Sequence, residues 1–221
     1  MPEDAEARFH RAWHRLQEVF GQELAHRNPG GRPWWPGSAW EVCMGAILVQ
    51  NTRWENVRRV LERLKGMGPE EIAALPLEEL AALVRPSGLA RQKARRLQAL
   101  ARLVLRFGGL EPFLRRVRRE ELLGLEGVGE ETADVILLYG AERPALPISA
   151  YARRILRRLD IPPRRLRELA PPEVRQLQLL HAALVELGKR FCRARPRCDG
   201  CPLRDLPCAY AASMRPVSYT H

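Results

Sequence analysis

The chain lacks most of what would mark a membrane or exported protein. No apolar run is long enough to span a bilayer. The N-terminus, MPEDAEARFH, has no apolar signal region, so a cytoplasmic location is expected. No alternating apolar and polar stretch marks a strand, and there is no internal repeat or low-complexity tract. Acidic residues are in the minority: 26 against 37 basic ones, for a net charge of +11 and a pI near 10.3. Arginine dominates the basic count. A surface of this sign meets a polyanion, most often nucleic acid. The alternative is arginines that only solubilise helices. Cysteine is scarce too, at five residues, and four of these crowd into one stretch.

What is present reads as helix. Phe9, Trp13, Leu16 and Phe20 recur at helical spacing. A Pro-, Gly- and Trp-rich loop follows (27–37). Ser38 and Glu41 then form a capping box before CMGAILV. Val57, Val60, Leu61 and Leu64 give an amphipathic face ended by Gly66. Pro69 opens another helix. Leu97, Leu100, Val104 and Phe107 mark one more, closed by Gly108 and Gly109. ADVILLYGA, AYARRILRRL and a long helix over 174–189 complete the pattern. The expected fold is all-α.

Two motifs carry chemistry. In LEGVGEETAD (125–134), a helix expected to end over 120–123 turns through Gly127 and Gly129 into a second helix. Glycine permits backbone angles that a Cβ obstructs. The unpaired N–H groups of such a turn and of the following first helical turn form an anion seat. Glu130 and Glu131 then lie where the helix dipole favours negative charge. The second motif is FCRARPRCDGCPLRDLPC. Its Cys192, Cys198, Cys201 and Cys208 have the spacing C-x5-C-x2-C-x6-C. Four thiolates in one loop suit zinc or an iron–sulfur cluster. A zinc ribbon has two C-x2-C knuckles and this loop has one, so the spacing leans toward [4Fe–4S]. Arg193, Arg195, Arg197 and Arg204 would make the loop basic, as a phosphate contact needs. Cys43, alone in an apolar helix, reads as core.

LEGVGEETAD followed by PISAYARRIL and the four-cysteine loop resembles the endonuclease III branch of helix-hairpin-helix DNA glycosylases, over about residues 34–208. QNTRWENV (50–57) is similar to the branch grouped with 3-methyladenine and other alkylbase glycosylases. The resemblance implies two helical domains: a six-helix barrel with the helix-hairpin-helix over 31–143, and an iron–sulfur domain from 1–30 and 144–221. It implies a monomer on double-stranded DNA, nucleoid-associated, with DNA in a cleft between the domains and the damaged base flipped out. Gln50, beside Asn51, would enter the vacated space. Leu89 would be a wedge, against a core leucine as the alternative. Gly127, Val128, Gly129 and Thr132 would seat a phosphate. Lys93 and Arg91 would touch phosphates or be merely solvated. Trp34 and Trp35 would stack a flipped base, or pack under their loop.

Two positions depart from the family pattern. Bifunctional members carry a lysine where this chain has Glu131. A carboxylate cannot form an imine, so β-lyase chemistry should be absent. The family aspartate falls on Ser149, which is uncharged. Losing one preorganised electrostatic group costs on the order of 3–4 kcal/mol. Three readings follow: Glu131 supplies the anion and Ser149 holds a water; the substrate is a cationic N3- or N7-alkylated purine that leaves easily; or the chain binds lesions without cutting. A glycosylase for deaminated or mismatched pyrimidines is a further substrate alternative.

Overall fold

The structure is a computed structural model describing residues 4–26 and 35–210. It contains helices and no strand among the described residues. Two compact units are present, Trp35–Pro147 and Met1–Trp34 with Ile148–His221. The expected division at residues 30/31 and 143/144 falls a few residues earlier at each crossing.

The central unit is built on α2 (Ala39–Leu48). The capping box holds as expected: the Glu41 N–H donates to Ser38 Oγ, and the Ser38 N–H donates to the Glu41 carboxylate. Every residue from Val42 to Leu48 is buried. A short helix apolar all round belongs inside a core. Around it come α3 (Trp54–Arg63), α4 (Pro69–Ala74), α5 (Leu77–Val84), a tight turn over Arg85–Ser87, α6 (Ala90–Arg106) and α7 (Leu110–Arg116). Pro69 occupies the first turn of α4, where its missing N–H costs nothing. On α6, Ala94, Leu97, Leu100, Ala101 and Val104 are fully buried, the inward stripe of an amphipathic helix. Gly108 and Gly109, with φ of +86° and +116°, end it. The unit closes with α8 (Arg119–Leu123) and α9 (Glu130–Val135), and α9 continues into a wider π-type turn over Ile136–Gly140. Helices α5 and α7 were not legible beforehand; each is under nine residues.

The second unit joins α1 (Ala5–His26) to α10 (Ala150–Arg158), α11 (Pro163–Leu169) and α12 (Val174–Arg190). Phe9, Leu16, Phe20 and Leu24 of α1 are buried. The core they enter includes Ile155, Leu156, Leu166, Leu180 and Leu184. Leu203, from the cysteine loop, is buried in the same core and anchors that loop.

Candidate nucleic-acid interface

Helices α8 and α9 form the expected hairpin. Gly127 adopts φ +75°, which a Cβ-bearing residue reaches only with strain. A Cβ there would also lie 1.9 Å from Arg96 Nε. Gly129 differs from the expectation: at φ −89° it is ordinary extended backbone, and nothing crowds the site of a Cβ. No hydrogen-bond partner takes the N–H of Gly127 or Gly129 among the described residues. Val128 is different again. Its side chain is buried and its N–H donates to Leu125 O at 3.0 Å. It therefore shapes the turn and is not available to a ligand. Thr132 is also turned inward, because its hydroxyl accepts from Gln50 Nε2 at 3.0 Å.

A half-buried ion pair, missed in the sequence, staples the hairpin. Asp134, 3 % exposed, faces Arg119 of α8 with Nε–Oδ1 at 2.6 Å and Nη2–Oδ2 at 3.3 Å. The hydrogen bond to Asp134 raises the Arg119 pKa. The available signal was an aspartate inside the apolar run ADVILL, since a buried carboxylate needs a partner. Glu130 is exposed and lies 3.7 Å from Arg119. Glu131 is exposed in the first turn of α9.

The turn after α2 meets this hairpin. Gln50 does not project. Its Nε2 donates to Gly127 O and Thr132 Oγ1, both at 3.0 Å, and its Oε1 accepts from Arg96 Nη1 at 2.6 Å. Entry of Gln50 into DNA would require exchanging these three bonds. Asn51, next in the chain, is exposed with φ +55°. Leu89 is likewise left-handed (φ +48°) and 56 % exposed, so it is not a core leucine. Arg91 pairs with Glu78 at 2.8 Å on the surface. Lys93 overturns both expectations for it, being neither solvated nor open to a phosphate. It is 0 % exposed, and its Nζ donates to Leu48 O at 2.7 Å and Ser87 O at 2.6 Å. Burial, with Arg96 nearby, lowers its pKa to about 8. Trp35 is buried, edge-on to Trp54 with ring centres 5.1 Å apart, which is packing rather than a stacking platform. Trp34 lies outside the described residues.

In the other unit, Ser149 is 3 % exposed and N-caps α10, its Oγ accepting from the Ala152 N–H at 3.2 Å. The cysteine loop is tied to α10. Arg158 Nη1 donates to Cys192 Sγ at 3.0 Å and to Arg193 O at 2.9 Å, and Arg154 Nε donates to Cys192 O at 2.7 Å. Burial pushes the Cys201 thiol up to about 11, and the other three cysteines push the same way. Cys198 is raised by burial and then by Cys208 and Cys192. The four thiols thus lie within electrostatic reach of one another. Among the described residues, however, no three His, Cys, Asp or Glu side chains converge as a metal-holding group. Arg193 and Arg204 turn back onto backbone carbonyls of Lys189 and Asp199, leaving Arg195 and Arg197 as the loop arginines without such anchors. Cys43 is fully buried, as expected.

Residues 44–177, which span Gln50, the α8–α9 hairpin and Ser149 and end before the four-cysteine loop, match the family model for HhH-GPD superfamily base excision DNA repair proteins. The chain belongs to the HhH-GPD superfamily. Within it, the chain is 33 % identical over 198 residues to endonuclease III of Thermotoga maritima, covering 85 % of this chain and 90 % of that one. The H. pylori 3-methyladenine DNA glycosylase bound to 1,N6-ethenoadenine superposes with a TM-score of 0.70 at 30 % identity, covering 80 % of this chain and 97 % of the other. A non-covalent endonuclease III–DNA complex superposes at 0.75 and 26 % identity, covering 94 % and 97 %. The all-α HhH-GPD fold and the general class, a base excision DNA glycosylase, follow from these likenesses.

Proposed function

We propose that this chain is a monofunctional DNA glycosylase. It hydrolyses the N-glycosidic bond of an alkylated base flipped out of duplex DNA and leaves an abasic site. The observation that carries the reading is Glu131, exposed in the first turn of α9 at the family's lysine position. A carboxylate there cannot form the imine that lyase chemistry requires. It can stabilise the positive charge that develops on the sugar as the base leaves. The Gly127–Gly129 turn supplies backbone N–H groups for a phosphate. An N3- or N7-alkylated purine needs little help to leave, which fits a site with one carboxylate. The likeness to a 3-methyladenine glycosylase supports the same substrate class.

The loop of Cys192, Cys198, Cys201 and Cys208 suits a [4Fe–4S] cluster in donor type, in spacing and in the N–H donor that Arg158 aims at Cys192 Sγ. Those four residues would hold it. A bound cluster would tie the loop together through those thiolates. Arg154 and Arg158 set the path of the loop toward α10.

The test is base release from methylated duplex DNA, with abasic sites revealed by alkali. Release without strand cleavage before alkali is expected, and Glu131→Gln should slow it by roughly a hundred- to a thousandfold with DNA binding intact. A second reading, a catalytically silent lesion-binding protein, is favoured by Ser149, whose hydroxyl is uncharged and committed to the cap. Release only by the Ser149→Asp variant would establish that reading. Aspartate caps a helix as well as serine does, so the variant keeps α10 intact.

A further inference from the structure

Two exposed left-handed residues of the central unit, Asn51 and Leu89, sit on turns far apart in sequence that share one internal support. The turn after α2 begins at Leu48, and the turn before α6 begins at Ser87. The carbonyl oxygens of these two residues accept from the same Lys93 ammonium, at 2.7 and 2.6 Å. That lysine has no solvent exposure at all. Burying an ammonium is costly, and a solvated lysine would serve to solubilise α6 equally well. Two apolar residues at this point would pack α2 against α6 at less cost, but would leave two buried carbonyls without donors. Both turns also hold non-glycine residues at φ of +55° and +48°. Such conformations cost about 1 kcal/mol or more each and persist only where the surroundings over-determine them. Ser87 strengthens the second turn by donating its hydroxyl to Val84 O at 2.8 Å.

We propose that Lys93 is a positioning residue that locks the Asn51 turn and the Leu89 turn into one rigid two-pronged element for opening duplex DNA. This rests on the glycosylase reading above, with the two turns set against the base stack as the family resemblance implies for Gln50, Asn51 and Leu89. Gln50 completes the brace from the other side: it ties the first turn to the hairpin through Gly127 O and Thr132, leaving Asn51 as the presented residue. Binding to intact backbone then needs only the hairpin and the basic surface. Prying a base out needs both prongs at a fixed separation, and misplacement by about 1 Å can cost on the order of a hundredfold.

The experiment separates opening from binding. A duplex carrying 2-aminopurine beside a methylated base reports unstacking by its fluorescence, and an unmodified duplex of the same length reports plain affinity. Asn51→Ala and Leu89→Ala should each lower the opened fraction. Lys93→Met should lower it about tenfold or more while changing plain affinity less than about twofold. Leu89→Ala added to Lys93→Met should cause little further loss, because the clamp has already released that prong. A folded Lys93→Met that opens the duplex as the parent does, or losses that simply add, would overturn the proposal. If Asn51→Ala and Leu89→Ala both leave opening unchanged, it is the reading of the turns that fails, whatever Lys93 does. Should Lys93→Met not fold, hydrogen exchange on the parent protein decides instead. The clamp requires the amides of 49–52 and 88–91 to gain protection together on duplex binding, and separate responses would reject it.

Discussion

Gly127 concentrates two constraints in one residue. Its φ of +75° suits glycine, and its α-carbon lies against the Arg96 guanidinium. Arg96 in turn donates to Gln50 Oε1. A substitution there would strain the turn and displace the arginine that holds Gln50. Gly127→Ala is expected to cost about 1–2 kcal/mol from the left-handed backbone alone, measured by urea denaturation. Gly129→Ala should cost far less, because Gly129 has φ −89° and open space around it. A larger loss at 129 than at 127 would contradict this account. The pair looks symmetric in the sequence, and the backbone separates the two roles.

Among the elements, α12 carries a pH dependence. His181 is buried on it, and burial lowers its pKa to about 3, with Lys189 acting in the same direction. The folded protein therefore holds His181 neutral, while the unfolded chain takes up a proton near pH 6.5. Between these values the unfolded state binds more protons. Stability should be full above about pH 6.5 and fall as pH drops toward 3, by up to about 1.4 kcal/mol per pH unit. A His181→Gln variant should show a shallower acid limb in thermal melts between pH 6 and 4, and an unchanged limb would refute the assignment. The same helix ends in charge pairs. Glu186 is 6 % exposed and bonds Arg190, which also reaches Glu23 of α1. The hairpin is stapled in the same manner by Arg119 and Asp134. In both cases a buried carboxylate is matched by an arginine: Arg119 bonds both oxygens of Asp134, while Arg190 gives one bond to Glu186 and its two terminal nitrogens to Glu23.

At the scale of the whole molecule the net charge of +11 decides the character of binding. Contacts to phosphates release counterions, so affinity for an undamaged duplex should fall steeply with salt. Engagement of about six phosphates would weaken binding by a factor on the order of a thousand between 50 and 200 mM salt. A titration by fluorescence anisotropy at four salt concentrations measures the slope. A slope near zero would mean that the arginines serve only solubility. Many do have partners within the protein: Arg8 with Asp160, Arg91 with Glu78, Arg115 with Glu111, and Arg165 with Glu6 and Glu168. Surface pairs of this kind are individually weak and exchange readily for phosphate.

By itself the sequence determined the helical class, the capping box at Ser38, the hairpin at LEGVG and the grouping of four cysteines. Each is written in local spacing, which a chain obeys before it folds. The family model agrees with the resemblance over 44–177, the stretch that carries the hairpin. Tertiary structure alone decided which side chains face inward. Lys93 is one of three charged residues within five positions on α6, and nothing local distinguishes it from Arg91 or Arg95. It is buried because two carbonyls from remote turns converge there. Gln50 is likewise held by a hairpin some eighty residues away in the chain, and Asp134 by the arginine across the turn. Burial and partner choice depend on contacts between distant segments, and periodicity carries no record of those.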